Sequence, residues 1–77
     1  MRVVPITQMT VGEDGIVWAI TANGFLRERL LELGLVTGTH ILCERFGPMG
    51  ASSVYEVRSA RIVIRHSDGA YVLVQVD

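Results

Sequence analysis

The chain has 77 residues, a formal net charge of −1, 49% hydrophobic residues and a mean hydropathy of +0.38. One domain of this length, spanning residues 1–77, must place nearly all its apolar residues in a compact core. Its seven basic residues are all arginines and are scattered among eight carboxylates, which disfavours the concentrated basic surface that nucleic-acid binding requires.

No apolar run approaches the roughly 20 residues of a membrane-spanning helix, because the longest runs, such as residues 16–20, have only strand length. The N-terminus shows no apolar segment followed by a small-residue cleavage site. The single cysteine, Cys43, cannot form an internal disulfide. We therefore expect a protein of the reducing cytoplasm, with no direct insertion into the membrane.

The first part of the chain predicts a bend followed by a strand. Ile6 and Met9 are three residues apart, which favours one helical turn or a tight bend that buries both. Residues 16–21 are rich in β-branched and aromatic side chains and predict a strand. Because its apolar residues are continuous, we expect this strand to be covered on both faces or to contain a bulge.

The next segment, residues 24–33, predicts the one α-helix. Asn23 is expected to cap it with a side-chain hydrogen bond, and Gly34 suits the left-handed residue that ends a helix. Glu28 and Glu32 are expected to face water. The apolar stripe of this helix has members at i, i+4 and i+7, namely Leu26, Leu30 and Leu33.

The rest of the chain predicts short strands joined by loops and turns. Ser59 and Ala60 are expected to form one hairpin turn, and residues 67–69 a second one. Five short strands and one helix in a small domain suggest a closed or partly closed barrel, which removes vulnerable sheet edges. The four strands predicted after the helix cover residues 39–46, 54–58, 61–65 and 70–76.

The segment from Arg29 to Thr39 is the most specific part of the sequence. It reads as the end of an amphipathic helix, a glycine stop at Gly34, a turn at Gly38 and the entry into a strand. This block resembles the FeoA family (ferrous iron transport protein A). The spacing of glycine and apolar residues elsewhere extends the resemblance over nearly the whole chain. The resemblance implies an all-β fold, a small SH3-like barrel of about five strands, with the helix inserted between the first two long strands.

The resemblance also implies a function. The protein would be a non-enzymatic cytoplasmic accessory of ferrous iron uptake, without a cofactor. It would bind the cytoplasmic, GTPase-containing region of the FeoB transporter and be recruited through it to the inner face of the cell membrane. Neither nucleic acid nor direct membrane insertion is expected, and self-association through strand edges stays open.

Three residues are candidates for the docking surface. Arg27 and Leu31 lie off the core side of the predicted helix, and Met49 lies in the loop that contains Pro48. An exposed leucine beside an arginine, and a methionine at a loop tip, are typical of contact residues. The alternative is that Leu31 covers a neighbouring strand and that Met49 packs back on the barrel.

Residues that could carry chemistry are few. Cys43 is in phase with Ile41 in its strand, so we interpret it as a small core residue and not as a reactive thiolate. Neither histidine stands in a catalytic motif. The alternative function is a stand-alone ferrous iron sensor, in which His40, Glu44 and His66 would form a metal site if the barrel brought them together.

Overall fold

The computed structural model describes residues 1–77, except for the side chain of Pro48. Over these residues the chain forms one antiparallel sheet of six strands in the order β1-β6-β2-β3-β4-β5. The strands are β1 (Arg2–Pro5), β2 (Asp14–Ile20), β3 (His40–Phe46), β4 (Ser52–Val57), β5 (Ala60–Arg65) and β6 (Val72–Val76).

Two helices and two short 3₁₀ segments connect the strands. They are α1 (Gly24–Glu32), α2 (His66–Gly69), and the 3₁₀ turns Ile6–Gln8 and Pro48–Gly50. The mostly β fold, with α1 between the first two long strands, is therefore confirmed. The edge strand β1 is an addition to the five strands that the sequence predicts. Over the residues described, neither helix has the length and apolarity that crossing a bilayer would require.

The C-terminal strand β6 lies between β1 and β2. Its Gln75 is opposite both Val3 and Ile16, and its Leu73 is opposite both Pro5 and Ala19. Side chains alternate across a strand, so these residues share the outer face of the sheet. Their neighbours on the inner face form the core, which includes Val17, Ile41, Val57, Val72 and Val74.

The predicted bulge in the first long strand is present. The register of β2 against β6 shifts between Val17 and Ala19, so that Trp18 is the extra residue. Val17 is buried, while Ile16 and Trp18 are exposed. The continuous apolar sequence therefore reflects a strand with one buried and one exposed apolar face, not a strand covered on both sides.

Helix α1 begins and ends close to the predicted residues. Gly34 has φ +98°, and its N–H donates to the carbonyl of Leu31 at 2.9 Å, which ends the helix as expected. Asn23 occupies the N-cap position, but its exposed side chain makes no capping hydrogen bond, so that detail of the prediction is wrong. The apolar stripe is also narrower than predicted, because Leu33 is 37% exposed whereas Leu30 is buried.

Both predicted hairpin turns need correction. Val57 pairs with Ala60, so the two turn residues are Arg58 and Ser59, which have φ +53° and +67°. Two such residues are typical of the type I′ turn, whose twist matches that of the flanking strands. The predicted turn at residues 67–69 is instead part of α2, because β6 does not pair with the preceding strand but crosses to the other side of the sheet.

A buried polar seam joins β4 to the two segments that close the barrel. The Tyr55 hydroxyl donates to the carbonyl of Ile6 at 3.2 Å, and Ser53 Oγ is hydrogen-bonded to His66 Nε2 at 2.8 Å. Gly69 packs so closely that an added Cβ would lie 3.1 Å from Ile6. The 3₁₀ turn Ile6–Gln8 and α2 are thereby held against the same strand.

The seam predicts a specific loss of stability in Tyr55→Phe. This change leaves the ring in place but removes the donor to the buried carbonyl of Ile6. We expect the free energy of unfolding to fall by about 1–2 kcal/mol in urea or guanidinium denaturation. The matched change Tyr71→Phe affects a ring that is 45% exposed and is expected to be nearly neutral. Equal effects of the two substitutions would contradict the role given to the Tyr55 hydroxyl.

Candidate functional site

The loop between β3 and β4 presents one of the three predicted docking residues. Gly47 and Ser52 close the loop, with the Gly47 N–H donating to the Ser52 carbonyl at 2.8 Å. Between them Met49 adopts a left-handed conformation, φ +61° and ψ +12°, and its side chain is fully exposed. A non-glycine residue in this conformation costs about 1 kcal/mol. Met49 therefore does not pack back on the barrel but projects into solvent.

A shallow apolar groove lies on the sheet where this loop begins. Val54 and Val63 are opposite each other on β4 and β5 and form its floor, and Phe46 and Arg45 line it as well. Phe46 and Val63 are each more than half exposed. The sequence analysis missed this groove. The available signal was Val63 between Arg61 and Arg65, since an apolar residue that alternates with charged ones shares their solvent face.

The two helical candidates, Arg27 and Leu31, lie on one flank of α1. The Arg27 guanidinium donates to the carbonyl of Ile20 at 3.0 Å, so this side chain is tied to the end of β2 while it remains exposed. Leu31 is 37% exposed, so it is partly covered and partly accessible. This flank offers a leucine beside an arginine, as the sequence suggests.

Met49 and this flank belong to different elements. Helix α1 leads into the His40 end of β3, whereas the Met49 loop leaves its Phe46 end. At about 3.3 Å per residue these two ends are roughly 20 Å apart. The opposite flank of α1, with Arg29 and Leu33, faces β5 and lines a small cavity with it. The predicted docking residues thus lie on a loop and a helix that connect to opposite ends of β3.

Two of the three candidate metal ligands are bonded to other side chains. Glu44 pairs with Arg61 at 2.7 Å, next to a register irregularity in β3, and His66 is bonded to Ser53. His40 lies at the other end of β3 from Glu44, in an exposed position. Among the residues described, no three His, Cys, Asp or Glu side chains are grouped as a metal site would require.

The cysteine is a core residue, as predicted from its phase with Ile41. Cys43 is fully buried in β3 and belongs to the main apolar cluster. Burial raises the pKa of its thiol above the ordinary 9.0, and the negative charge of Glu13 raises it further. A thiol in this setting stays protonated at neutral pH and is a poor nucleophile.

Comparison with known proteins identifies the relatives of this chain. The sequence model of the FeoA domain matches residues 4–76. A crystal structure of an iron uptake regulatory protein (FeoA) shares 31% identity, with a TM-score of 0.87 over 96% of this chain and 97% of the other. FeoA from Stenotrophomonas maltophilia, solved with zinc and described as a prokaryotic SH3 domain protein, shares 26% identity. Its TM-score is 0.80, over 91% of this chain and 87% of that one.

The same fold occurs inside larger regulators. A manganese-dependent transcriptional repressor aligns with a TM-score of 0.87 at 12% identity, over 97% of this chain but only 42% of the repressor. At this identity the likeness concerns the fold alone. A search of curated protein sequences found no significant match.

From the burial of the Cys43 thiol we predict how the free energy of unfolding depends on pH in the alkaline range. Burial also raises the pKa of the Tyr55 hydroxyl above its ordinary 10.0. The unfolded chain therefore loses both protons at lower pH than the folded one, and the free energy of unfolding falls as the pH rises above about 9. The sequence contains no lysine that would titrate in the same range.

The test is a series of denaturant unfolding curves from pH 7 to 11 for the wild type and Cys43→Ala. We expect the free energy of unfolding of the wild type to fall from about pH 9. In the variant the fall should begin about one pH unit higher, where the Tyr55 hydroxyl of the unfolded chain loses its proton. Identical pH profiles, after subtraction of the constant cost of the substitution, would show that Cys43 does not contribute.

Proposed function

The chain belongs to the FeoA family, and on that basis we propose that it is a non-enzymatic accessory protein that binds the cytoplasmic, GTPase-containing region of a FeoB-type ferrous iron transporter. The observation that carries the proposal is the family match over residues 4–76, joined to the 31% identity with an iron uptake regulatory protein. The family is associated with ferrous iron transport, and it is not a known enzyme family.

The surface chemistry supports a role in protein contact. Met49 is held out into solvent by a conformation that carries a backbone cost, beside the groove formed by Phe46, Val54 and Val63. Arg45 lines this groove, and within the residues described its guanidinium forms no ion pair. An apolar recess with an available arginine suits a partner segment that offers a bulky apolar side chain next to a carboxylate.

We propose that the Met49 loop is the primary docking surface and that the Arg27 and Leu31 flank of α1 is a second contact. Leu31 is only partly exposed and Arg27 is already bonded to Ile20, so this flank has less free surface to offer.

Substitutions at these positions test the assignment. Met49→Asp places a charge at the loop tip, and we expect it to weaken binding to the purified cytoplasmic region of FeoB about tenfold or more. Leu31→Asp is expected to have a smaller effect in the same direction. Val11→Asp is the matched control, because Val11 is 52% exposed and belongs to neither surface.

Binding is measured by biolayer interferometry, and far-ultraviolet circular dichroism verifies that each variant is folded. Wild-type affinity in both folded Met49→Asp and Leu31→Asp would exclude these surfaces as docking sites. A loss equal to that of Val11→Asp would show that the substitutions act through general charge and not through contact.

The alternative function, a stand-alone metal sensor, is favoured by one observation, the zinc bound in the Stenotrophomonas maltophilia relative. In this chain its proposed ligands would be His40, Glu44 and His66, two of which are already bonded to other side chains. Anaerobic calorimetry with ferrous iron decides between the two functions. The accessory proposal expects no saturable heat at micromolar metal, whereas a sensor would bind and would lose binding in His40→Ala.

A further inference from the structure

The outer side of the sheet carries an apolar surface that the docking proposal does not use. We call it the Trp18 face and define it by Val3, Pro5, Ile16, Trp18 and Leu73. The strand register places Val3 and Ile16 on either side of Gln75, and Pro5 and Ala19 on either side of Leu73. Trp18 is the extra residue of the bulge and directly precedes Ala19. Val3, Ile16 and Trp18 are each more than one-third exposed. The Met1 side chain, itself 89% exposed, reaches this face, and its sulfur accepts a hydrogen bond from Gln75 Nε2 at 2.7 Å.

The bulge in β2 explains why a tryptophan is exposed here. The extra residue between Val17 and Ala19 bends the strand, and bulges commonly re-aim a side chain. The Trp18 carbonyl accepts a hydrogen bond from the Thr37 hydroxyl at 3.3 Å, so the segment between α1 and β3 also holds the backbone of the bulge in place. The indole is 53% exposed, although tryptophan is among the residues that contribute most when buried in an interface.

The rim of the Trp18 face is acidic. Asp14 and Asp77 line a recess of about 150 Å³ together with Ile16, His40 and Gln75. Neither carboxylate forms an ion pair within the described part of the chain. Arg2, the nearest arginine in the register, forms an ion pair with Glu13 at 3.6 Å and donates a hydrogen bond to the backbone carbonyl of Asp77. The recess therefore offers two carboxylates without a side-chain ion pair beside an apolar surface, with Arg2 near Asp77 and Arg58 lining a second recess with Asp14.

From this combination we infer that the Trp18 face binds a basic amphipathic helix of a partner protein. The apolar face of such a helix covers Val3, Ile16 and Trp18, and a lysine or arginine at the edge of that face reaches Asp14 and Asp77. A membrane surface is the other usual ligand of an exposed tryptophan. The rim carboxylates disfavour it, because the inner leaflet of a cell membrane is negatively charged.

This inference does not depend on the transporter proposal. The Trp18 face includes none of Arg27, Leu31 and Met49. It adjoins the His40 end of β3, about 20 Å from the end that leads to Met49. The barrel could therefore bind a partner helix through the Trp18 face while it is docked to the transporter through the Met49 loop.

Trp18 is the only tryptophan of the chain, so its fluorescence reports on this face alone. The probe is a synthetic peptide of about 18 residues, made of leucine and lysine at helical spacing and free of aromatic residues. We expect a blue shift of the Trp18 emission on titration, and we expect added salt to weaken the binding. The matched peptide with glutamate in place of lysine is expected to leave the emission unchanged.

Variants locate the binding through the anisotropy of a dye-labelled lysine peptide. Trp18→Ala is expected to lose about tenfold in affinity and Asp14→Asn a few-fold, whereas Phe25→Ala, an exposed aromatic outside the face, retains wild-type affinity. Equal response to the lysine and glutamate peptides, or no effect of Asp14→Asn, would overturn the inference. A blue shift with phosphatidylglycerol vesicles but not with the lysine peptide would assign the face to a membrane.

Discussion

The barrel depends on a contact that is not strand pairing. The two edge strands, β1 and β5, do not pair with each other, so the sheet alone does not close the domain. The Tyr55 hydroxyl bridges the opening by donating to the carbonyl of Ile6, and the bond between Ser53 and His66 anchors α2 beside it. Because these groups are buried or partly buried, each would cost stability if it lost its partner. The seam therefore closes the barrel that the six-stranded sheet alone leaves open.

A consequence of this closure is that apolar residues are divided between the inside and the outside. The inner faces of the strands, the seam and the buried side of α1 contribute the core residues, among them Tyr55, Ile6 and Leu30. The domain is too small to bury the rest, so Phe46, Val63 and Trp18 remain on the surface. Phe46 and Val63 line the groove beside the Met49 loop and Trp18 belongs to the Trp18 face, so the surfaces proposed for partner contact are the ones where the domain leaves large apolar side chains exposed.

Much of the fold could be predicted from the sequence, because the signals were local. The glycine stop at Gly34, the alternation of Ile41 and Cys43, and the bend between Ile6 and Met9 depend on neighbouring residues only. The error in strand connection arose where distant segments determine the structure. Residues 67–69 resemble a hairpin turn, but Gly69 is needed for a close approach to Ile6, which no local pattern shows. The candidate surfaces were harder still, because the groove at Val63 and the Trp18 face each combine residues from several strands.

The central claim is that the barrel acts by docking onto the cytoplasmic region of the transporter. The most direct test is a binding titration of the purified wild-type protein against that region of FeoB from the same organism, with GDP, with a non-hydrolysable GTP analogue and with ferrous iron. Our account predicts saturable binding, and a difference between the two nucleotides would show that the barrel senses the state of the GTPase. The absence of binding under every one of these conditions would contradict it.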